Sequence, residues 1–173
     1  MGIDLKNWMQ NLPDGSDLLA LNLCGTHDCV TQHIRLPHFF CCQDLTIYEQ
    51  LLLGVRALDI RVRADGKCLT MVHGIFPAYN HSCHRANLMD MGDVLSQCYR
   101  FLDECPGEAV VFQFKNDNGK ENEQCFDNLF YTYIKGKEPY WYLEDRVPTL
   151  GAARGKLVLI RRCKMEPKPD FTR

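Results

Sequence analysis

The sequence lacks any uninterrupted apolar run of the roughly 18 residues that a membrane-crossing helix needs, so no segment of it reads as a transmembrane span. Its opening Met1-Gly2-Ile3-Asp4-Leu5-Lys6 lacks the apolar core of a signal peptide, and Lys6 stands where a myristoylation pattern wants Ser or Thr. On these grounds the chain reads as cytoplasmic, and as secreted only if an upstream signal has been removed. Charge of one sign is scarce: 20 Lys and Arg against 22 Asp and Glu leave a net −2, which argues against nucleic acid as a partner. Ten cysteines contain no Cys-x-x-Cys pair, so a redox motif of that type is excluded. The thiols read as reduced, with Cys68, Cys98 and Cys125 as small apolar fillers inside strands or helices. His81-Ser82-Cys83-His84 has metal-ligand residue types, but its spacing is too tight for a tetrahedral zinc site. It reads as a loop.

What is present is a globular composition, 46% hydrophobic and 24% charged, in 173 residues. That suits one domain over residues 1–173, with the polar, proline-bearing stretch 164–173 as a tail. Residues 5–12 predict a short helix stopped by Pro13-Asp14-Gly15, and Leu18–Leu23 a first strand stopped by Gly25. Thr46–Leu53 has helical spacing and closes at Gly54. Arg56–Arg63 alternates strictly, with Ala57, Asp59, Arg61 and Arg63 on one face and Leu58, Ile60 and Val62 on the other, a second strand. Asp65-Gly66 turns the chain into a third, Lys67–His73. Met89–Leu102 predicts a helix, and Ala109–Lys115 a fourth strand with Val110, Phe112 and Phe114 opposite Val111, Gln113 and Lys115. Glu121–Ile134 predicts a helix, Thr149–Ala153 a helical turn and Lys156–Arg162 a fifth strand.

Strands alternating with helices imply an α/β fold with a mainly parallel sheet, whose function gathers beyond the carboxyl ends of the strands. His27, Arg61, His73, Lys115 and Arg162 each fall at such an end, as one ring. Two imidazoles around a guanidinium are the parts needed to cleave a phosphodiester without a metal: one takes a proton, the other gives one, and the cation holds the phosphate charge. His33 and His38 lie outside this pattern and read as surface.

Leu23-Cys24-Gly25-Thr26-His27-Asp28, Gly54-Val55-Arg56-Ala57-Leu58-Asp59-Ile60-Arg61 and Val72-His73-Gly74 together resemble the X region of phosphatidylinositol-specific phospholipases C. Asn7-Trp8-Met9, Phe112-Gln113-Phe114-Lys115 and the segment from Gly151 to Arg162 extend the resemblance over residues 7–162, in the family's order. Cys24 and Cys29 depart from it tolerably, where the family has other small residues. The likeness is to the bacterial, metal-independent branch. Asp28 stands where the calcium-dependent enzymes have Asn, Ala57 replaces one member of their acidic pair with Asp59, and Arg61 follows. A metal beside Arg61 meets charge repulsion, so the resemblance implies no metal and no cofactor.

The resemblance implies a TIM-barrel-type (β/α) fold and a lyase acting on inositol phospholipid at a membrane surface. His27 is then the general base for the inositol 2-hydroxyl, Arg61 neutralises the phosphate, and Asp59 orients Arg61. Asp28 holds His73 as the general acid, while Lys115 and Arg162 bind inositol hydroxyls. Phe39-Phe40 and Tyr140-Trp141-Tyr142 suit interfacial insertion. A full barrel usually takes about 250 residues, and only five of its strands are expected here. The absent three carry the family's acidic partner for the base, another inositol contact and an aromatic platform, so His27 is expected to lack an orienting carboxylate. Self-association or a missing C-terminal half is the implied partner, because an open sheet exposes edges and apolar interior. Two further readings stay open: a non-catalytic phosphoinositide-binding or assembly module, and a metal-dependent glycerophosphodiesterase, which Ala57 and Arg61 weaken.

Overall fold

A computed structural model describes residues 4–82, 87–117 and 123–163, with the side chains of 123–125 left aside. In chain order the elements are β1 (Gly25–Thr26), α1 (Pro37–Phe40), α2 (Ile47–Leu52), β2 (Ala57–Asp65), β3 (Cys68–His73), β4 (Phe76–Pro77), α3 (Met91–Glu104), β5 (Ala109–Asn116), α4 (Glu123–Ile134), β6 (Trp141–Tyr142), α5 (Leu150–Ala153) and β7 (Lys156–Arg161). Among the described residues they form one sheet, ordered β4-β3-β2-β5-β7-β6, with β1 beside the start of β2. The sheet is not closed into a barrel.

Three expectations change. Leu18–Leu23 is not a strand: Leu18–Ala20 is a turn of 3-10 helix whose cap is Asp17, accepting from the Leu19 amide at 2.9 Å. Pairing begins only where the Arg56 and Ala57 amides reach the Cys24 carbonyl, at 2.9 and 3.1 Å, so the first strand is Gly25–Thr26. Gly25 is needed there, because a Cβ would meet that of Ala57 at 3.2 Å. Second, β1, β5, β7 and β6 run parallel to their partners, but β3 is antiparallel to β2 through the hairpin at Gly66. Third, residues 5–12 form a 3-10 helix kinked at Asn7 rather than a regular helix. The predicted tail and residues 83–86, and with them Cys83 and His84, lie outside the described residues, as does the side chain of Cys125. Eight other cysteines are free thiols; Cys98 is buried as expected, whereas Cys68, at the start of β3, is exposed.

The alternation read from the sequence sorts the two faces of the sheet. Leu58, Ile60, Val62, Val110, Phe112 and Phe114 pack outward against Val94, Leu95, Cys98 and Phe101 of α3 and Phe126 and Phe130 of α4. A reciprocal cap between Asp90 and Asp93 starts α3, and one between Thr46 and Glu49 starts α2. The inward face is layered by the parallel register. Ala57, Val111 and Val158 form an apolar rung, Asp59, Gln113 and Ile160 the next, and Arg61 with Lys115 the third. Below them, Leu21 and Leu23 help line an open hollow of about 620 Å³, together with the charged Glu144, Asp145, Arg146 and Arg161. The rungs thus pass from apolar to ionic along the strands.

On the helix-facing side, the starts of β2 and β5 are joined by an ion pair that the sequence did not disclose. Arg56 is fully buried and reaches Glu108 at 2.7 Å. It also donates to the carbonyls of Leu51, Val55 and Lys6 at 2.7, 2.7 and 2.8 Å, while Glu108 accepts from the Met9 and Gln10 amides at 3.0 Å each. One pair thus ties the N-terminal turn, α2, β2 and β5 together. Removing one partner leaves an uncompensated buried charge, so Glu108→Ala is expected to lower unfolding stability by about 3–5 kcal/mol. Urea denaturation measures this, and a loss below about 1 kcal/mol would show the ion pair to be dispensable.

Candidate active site

The turn after β1 delivers His27 and Asp28. Asp28 has a left-handed backbone, φ 44°, which short polar side chains tolerate best, and this turns its carboxylate inward where it is fully buried. Buried Gln50 holds the turn from α2: it accepts from the Thr26 hydroxyl at 2.7 Å and donates to the carbonyls of Cys29 and Leu45 at 2.8 and 2.7 Å. The Cys29 amide and thiol both bond the Asp59 carbonyl, at 3.3 and 3.2 Å, and so fasten the turn to β2.

Asp59 is the hub. Its Oδ2 lies 3.0 Å from His27 Nδ1 and accepts from Arg61 Nε at 3.2 Å, and its Oδ1 accepts from the Gln113 amide at 3.0 Å. His27 therefore does have an orienting carboxylate, against expectation: β2 supplies it two residues before Arg61. The tautomer with its proton on Nδ1 donates to this carboxylate and leaves Nε2 with its lone pair. The 3.3 Å approach of Arg61 Nη2 to Nδ1 then brings together two donors that share one oxygen.

Asp28 sits between the three principal side chains, with Arg61 Nε at 3.1 Å, His27 Nε2 at 3.3 Å and His73 Nδ1 at 3.5 Å. The Arg61 contact is ionic and the two imidazole contacts become so only on protonation; neither carboxylate oxygen has a hydrogen bond of good geometry. The nearer partner of His73 Nδ1 is the Phe40 carbonyl, at 3.1 Å. Expected as the holder of His73, Asp28 is instead shared by all three groups. The His27 and His73 rings stand edge to face, 6.4 Å between centroids. His73 descends on the antiparallel β3 and so meets Arg61 from the side.

Lys115 and Arg162 reach the same rim. Lys115 Nζ pairs with Asp117, which also accepts from the Gly74 amide at 2.6 Å and lies 3.8 Å from Arg61. Arg162 Nη1 is 4.0 Å from Asp59, while Arg161 points away to Asp145, in accord with the alternation of β7. His38 is exposed and His33 half-buried, both outside the cluster. Of the expected aromatics, Phe39 is 80% exposed, but Trp141 and Tyr142 are buried in β6, so that trio is core. Sequence reasoning missed Asp117, the Phe40 carbonyl, and Gln113 as a ligand of Asp59. Gln113 was already on the right face of its strand; only the β2–β5 register shows that it lands on Asp59.

The carboxylates divide by environment. Burial disfavours the charge on Asp59, but the Gln113 amide and Arg61 outweigh it and its pKa is lowered. Asp117 likewise overcomes burial through Lys115 and the Gly74 amide, and is lowered. For Asp28 burial dominates despite Arg61 and the two imidazoles, and its pKa is raised. Arg61, opposed by burial, is held charged by Asp28 and Asp59.

No family model matches the chain. It is 27% identical over 169 residues to the 1-phosphatidylinositol phosphodiesterase of Listeria monocytogenes, covering 91% of this chain and 49% of that one. To the protein of the same name from Staphylococcus aureus strain Newman it is 28% identical over 166 residues, covering 91% and 51%. Among solved structures, the phosphatidylinositol-specific phospholipase C of Listeria monocytogenes superposes with a TM-score of 0.75 at 27% identity, over 92% of this chain and 57% of that one. A pentafluoro-Phe form of the Staphylococcus aureus enzyme gives 0.77 at 28% identity, over 92% and 53%. The chain is similar in sequence and in structure to the bacterial phosphatidylinositol-specific phospholipases C. It spans about half the length of the curated relatives it matches. The expected fold class stands: these relatives are TIM-barrel enzymes, and the open sheet corresponds to part of such a barrel.

The split carboxylates predict opposite stability effects. Asp59, lowered in the folded chain, stabilises the fold above the ordinary carboxylate range and loses that contribution as pH falls through its folded value. Asp28, raised, favours folding when protonated, and its contribution is lost as pH rises through its folded value. At neutral pH Asp28→Asn should therefore raise the urea midpoint and Asp59→Asn lower it, and Asp59→Asn should also flatten the decline on acidification. Shifts of the same sign in both variants would contradict this division.

Proposed function

We propose that this chain carries the reacting groups of a phosphoric diester lyase that cleaves phosphatidylinositol to diacylglycerol and a cyclic inositol phosphate. The observation that carries the reading is a guanidinium, locked by three carboxylates, lying beside two imidazoles on one rim. The chain's similarity to the 1-phosphatidylinositol phosphodiesterases of Listeria monocytogenes and Staphylococcus aureus supports it. His27, oriented by Asp59, takes the proton of the inositol 2-hydroxyl on Nε2 as that oxygen attacks phosphorus. Arg61 neutralises the non-bridging oxygens. His73, fixed by the Phe40 carbonyl and facing Asp28, protonates the glycerol oxygen as the phosphorus–oxygen bond breaks. Lys115 and Arg162 hold inositol hydroxyls, and exposed Phe39 beside the site meets the lipid surface. Each proton transfer contributes about 10²–10⁴-fold, so electrostatic stabilisation by Arg61 must supply much of the remainder.

A second reading, a phosphoinositide-binding module without turnover, needs only the cationic rim of Arg61, Lys115 and Arg162. Phosphorus NMR of phosphatidylinositol incubated with the protein separates the two. A growing cyclic phosphate signal, reduced about 10²–10⁴-fold in both His27→Ala and His73→Ala, supports the lyase. Arg61→Lys keeps charge but loses the fork and should also cut the rate steeply. Lipid binding without any cyclic product supports the module. Loss of turnover on adding EDTA would instead favour the metal-dependent reading.

A further inference from the structure

We propose that His27, Asp28 and Cys42 form a binding site for a soft divalent cation, zinc foremost, which blocks the reacting groups when it binds. One ligand atom from each of the three lies within 4.8 Å of the others. Imidazole nitrogen, carboxylate oxygen and thiolate are the donors zinc takes, at about 2.0–2.3 Å, with a fourth tetrahedral position left for water or a phosphate oxygen. The independent observation is Asp28: fully buried, with neither oxygen in a proper hydrogen bond, and facing His27 Nε2 at 3.3 Å through Oδ2.

The segment bearing Cys42 is clamped to the turn that bears the other two ligands. Thr31, fully buried, donates its hydroxyl to the Asp28 carbonyl at 2.9 Å and accepts the Cys42 amide at 2.8 Å. Gln43 donates to the His27 carbonyl at 3.1 Å from the other side of Cys42. Arg61 does not bar a cation, because it occupies the Oδ1 side of Asp28 and is shared with Asp59 and Asp117. Binding forms a metal–sulfur bond as the Cys42 thiol gives its proton to solvent, and takes the Nε2 lone pair that the proposed base needs. The block on catalysis rests on the function proposed above; the binding does not.

Cobalt(II) titration of the whole chain tests the binding without any turnover. A thiolate-to-cobalt charge-transfer band saturating at one equivalent, displaced by zinc, is expected. It should vanish in Cys42→Ser and persist in Cys41→Ser, with circular dichroism showing both variants folded. His27→Ala, which keeps every thiol, should weaken cobalt binding at least about tenfold, the low end of what loss of supporting groups costs a metal site. No band in the unaltered chain, or an unchanged one in Cys42→Ser, overturns the site. Where cyclic phosphate is produced, zinc should suppress it in the unaltered chain and not in Cys42→Ser. Turnover indifferent to saturating zinc overturns the block while leaving the site standing.

Discussion

Parallel pairing of β2 with β5, in one register, is the constraint on which the rest depends. It sets Ala57 beside Val111, Asp59 beside Gln113 and Arg61 beside Lys115. A one-residue slip would turn every one of these side chains to the opposite face. That slip is opposed from both ends. Outward, Leu58, Ile60 and Val62 would leave a core closed by Phe101, Phe126 and Phe130. Below, the Arg56–Glu108 pair joins the residue before β2 to the residue before β5, each charge being the other's counter-ion.

The layered interior explains why an ionic cluster is stable on a half-open sheet. The apolar rung at Ala57, Val111 and Val158 carries no polar cost, and the carboxylates and cations are gathered at the rim. Asp59 and Asp117 are satisfied by amides and cations, whereas neither oxygen of the buried Asp28 has a hydrogen bond of good geometry. That one under-satisfied carboxylate, in a left-handed turn, marks where this chain gives up stability. It touches both imidazoles and the guanidinium, so the cost falls where the chemistry is proposed. Its lack of hydrogen bonds also leaves it open to a cation on the side away from Arg61.

Much of the candidate site was legible as residues and little of it as contacts. His27, Arg61 and His73 stand in local motifs that need no tertiary information. The partner of His27 was sought in strands beyond this chain, yet Asp59 was already named, in another role. An Asp two residues before an Arg on one strand face reads as that Arg's partner. Nothing local says that the β1 turn will fold over it and bring an imidazole to 3.0 Å. His73 was similarly placed by a parallel-sheet rule, whereas the hairpin at Gly66 brings it in antiparallel.

By itself the sequence determined the alternating faces of β2, β5 and β7, the helices α2 and α3, and the residue types that make phosphodiester chemistry possible. These follow from period-2 and helical spacing and from side-chain chemistry, all local in the chain. Tertiary structure alone decided that Leu18–Ala20 is a turn, that Trp141 and Tyr142 are core, and that Arg56 is a buried anchor. It also decided that Asp59 serves two cations and that Cys42 lies against Asp28. Each of these depends on which distant segment supplies the hydrogen-bond partner or covers the surface, and sequence spacing carries no record of that.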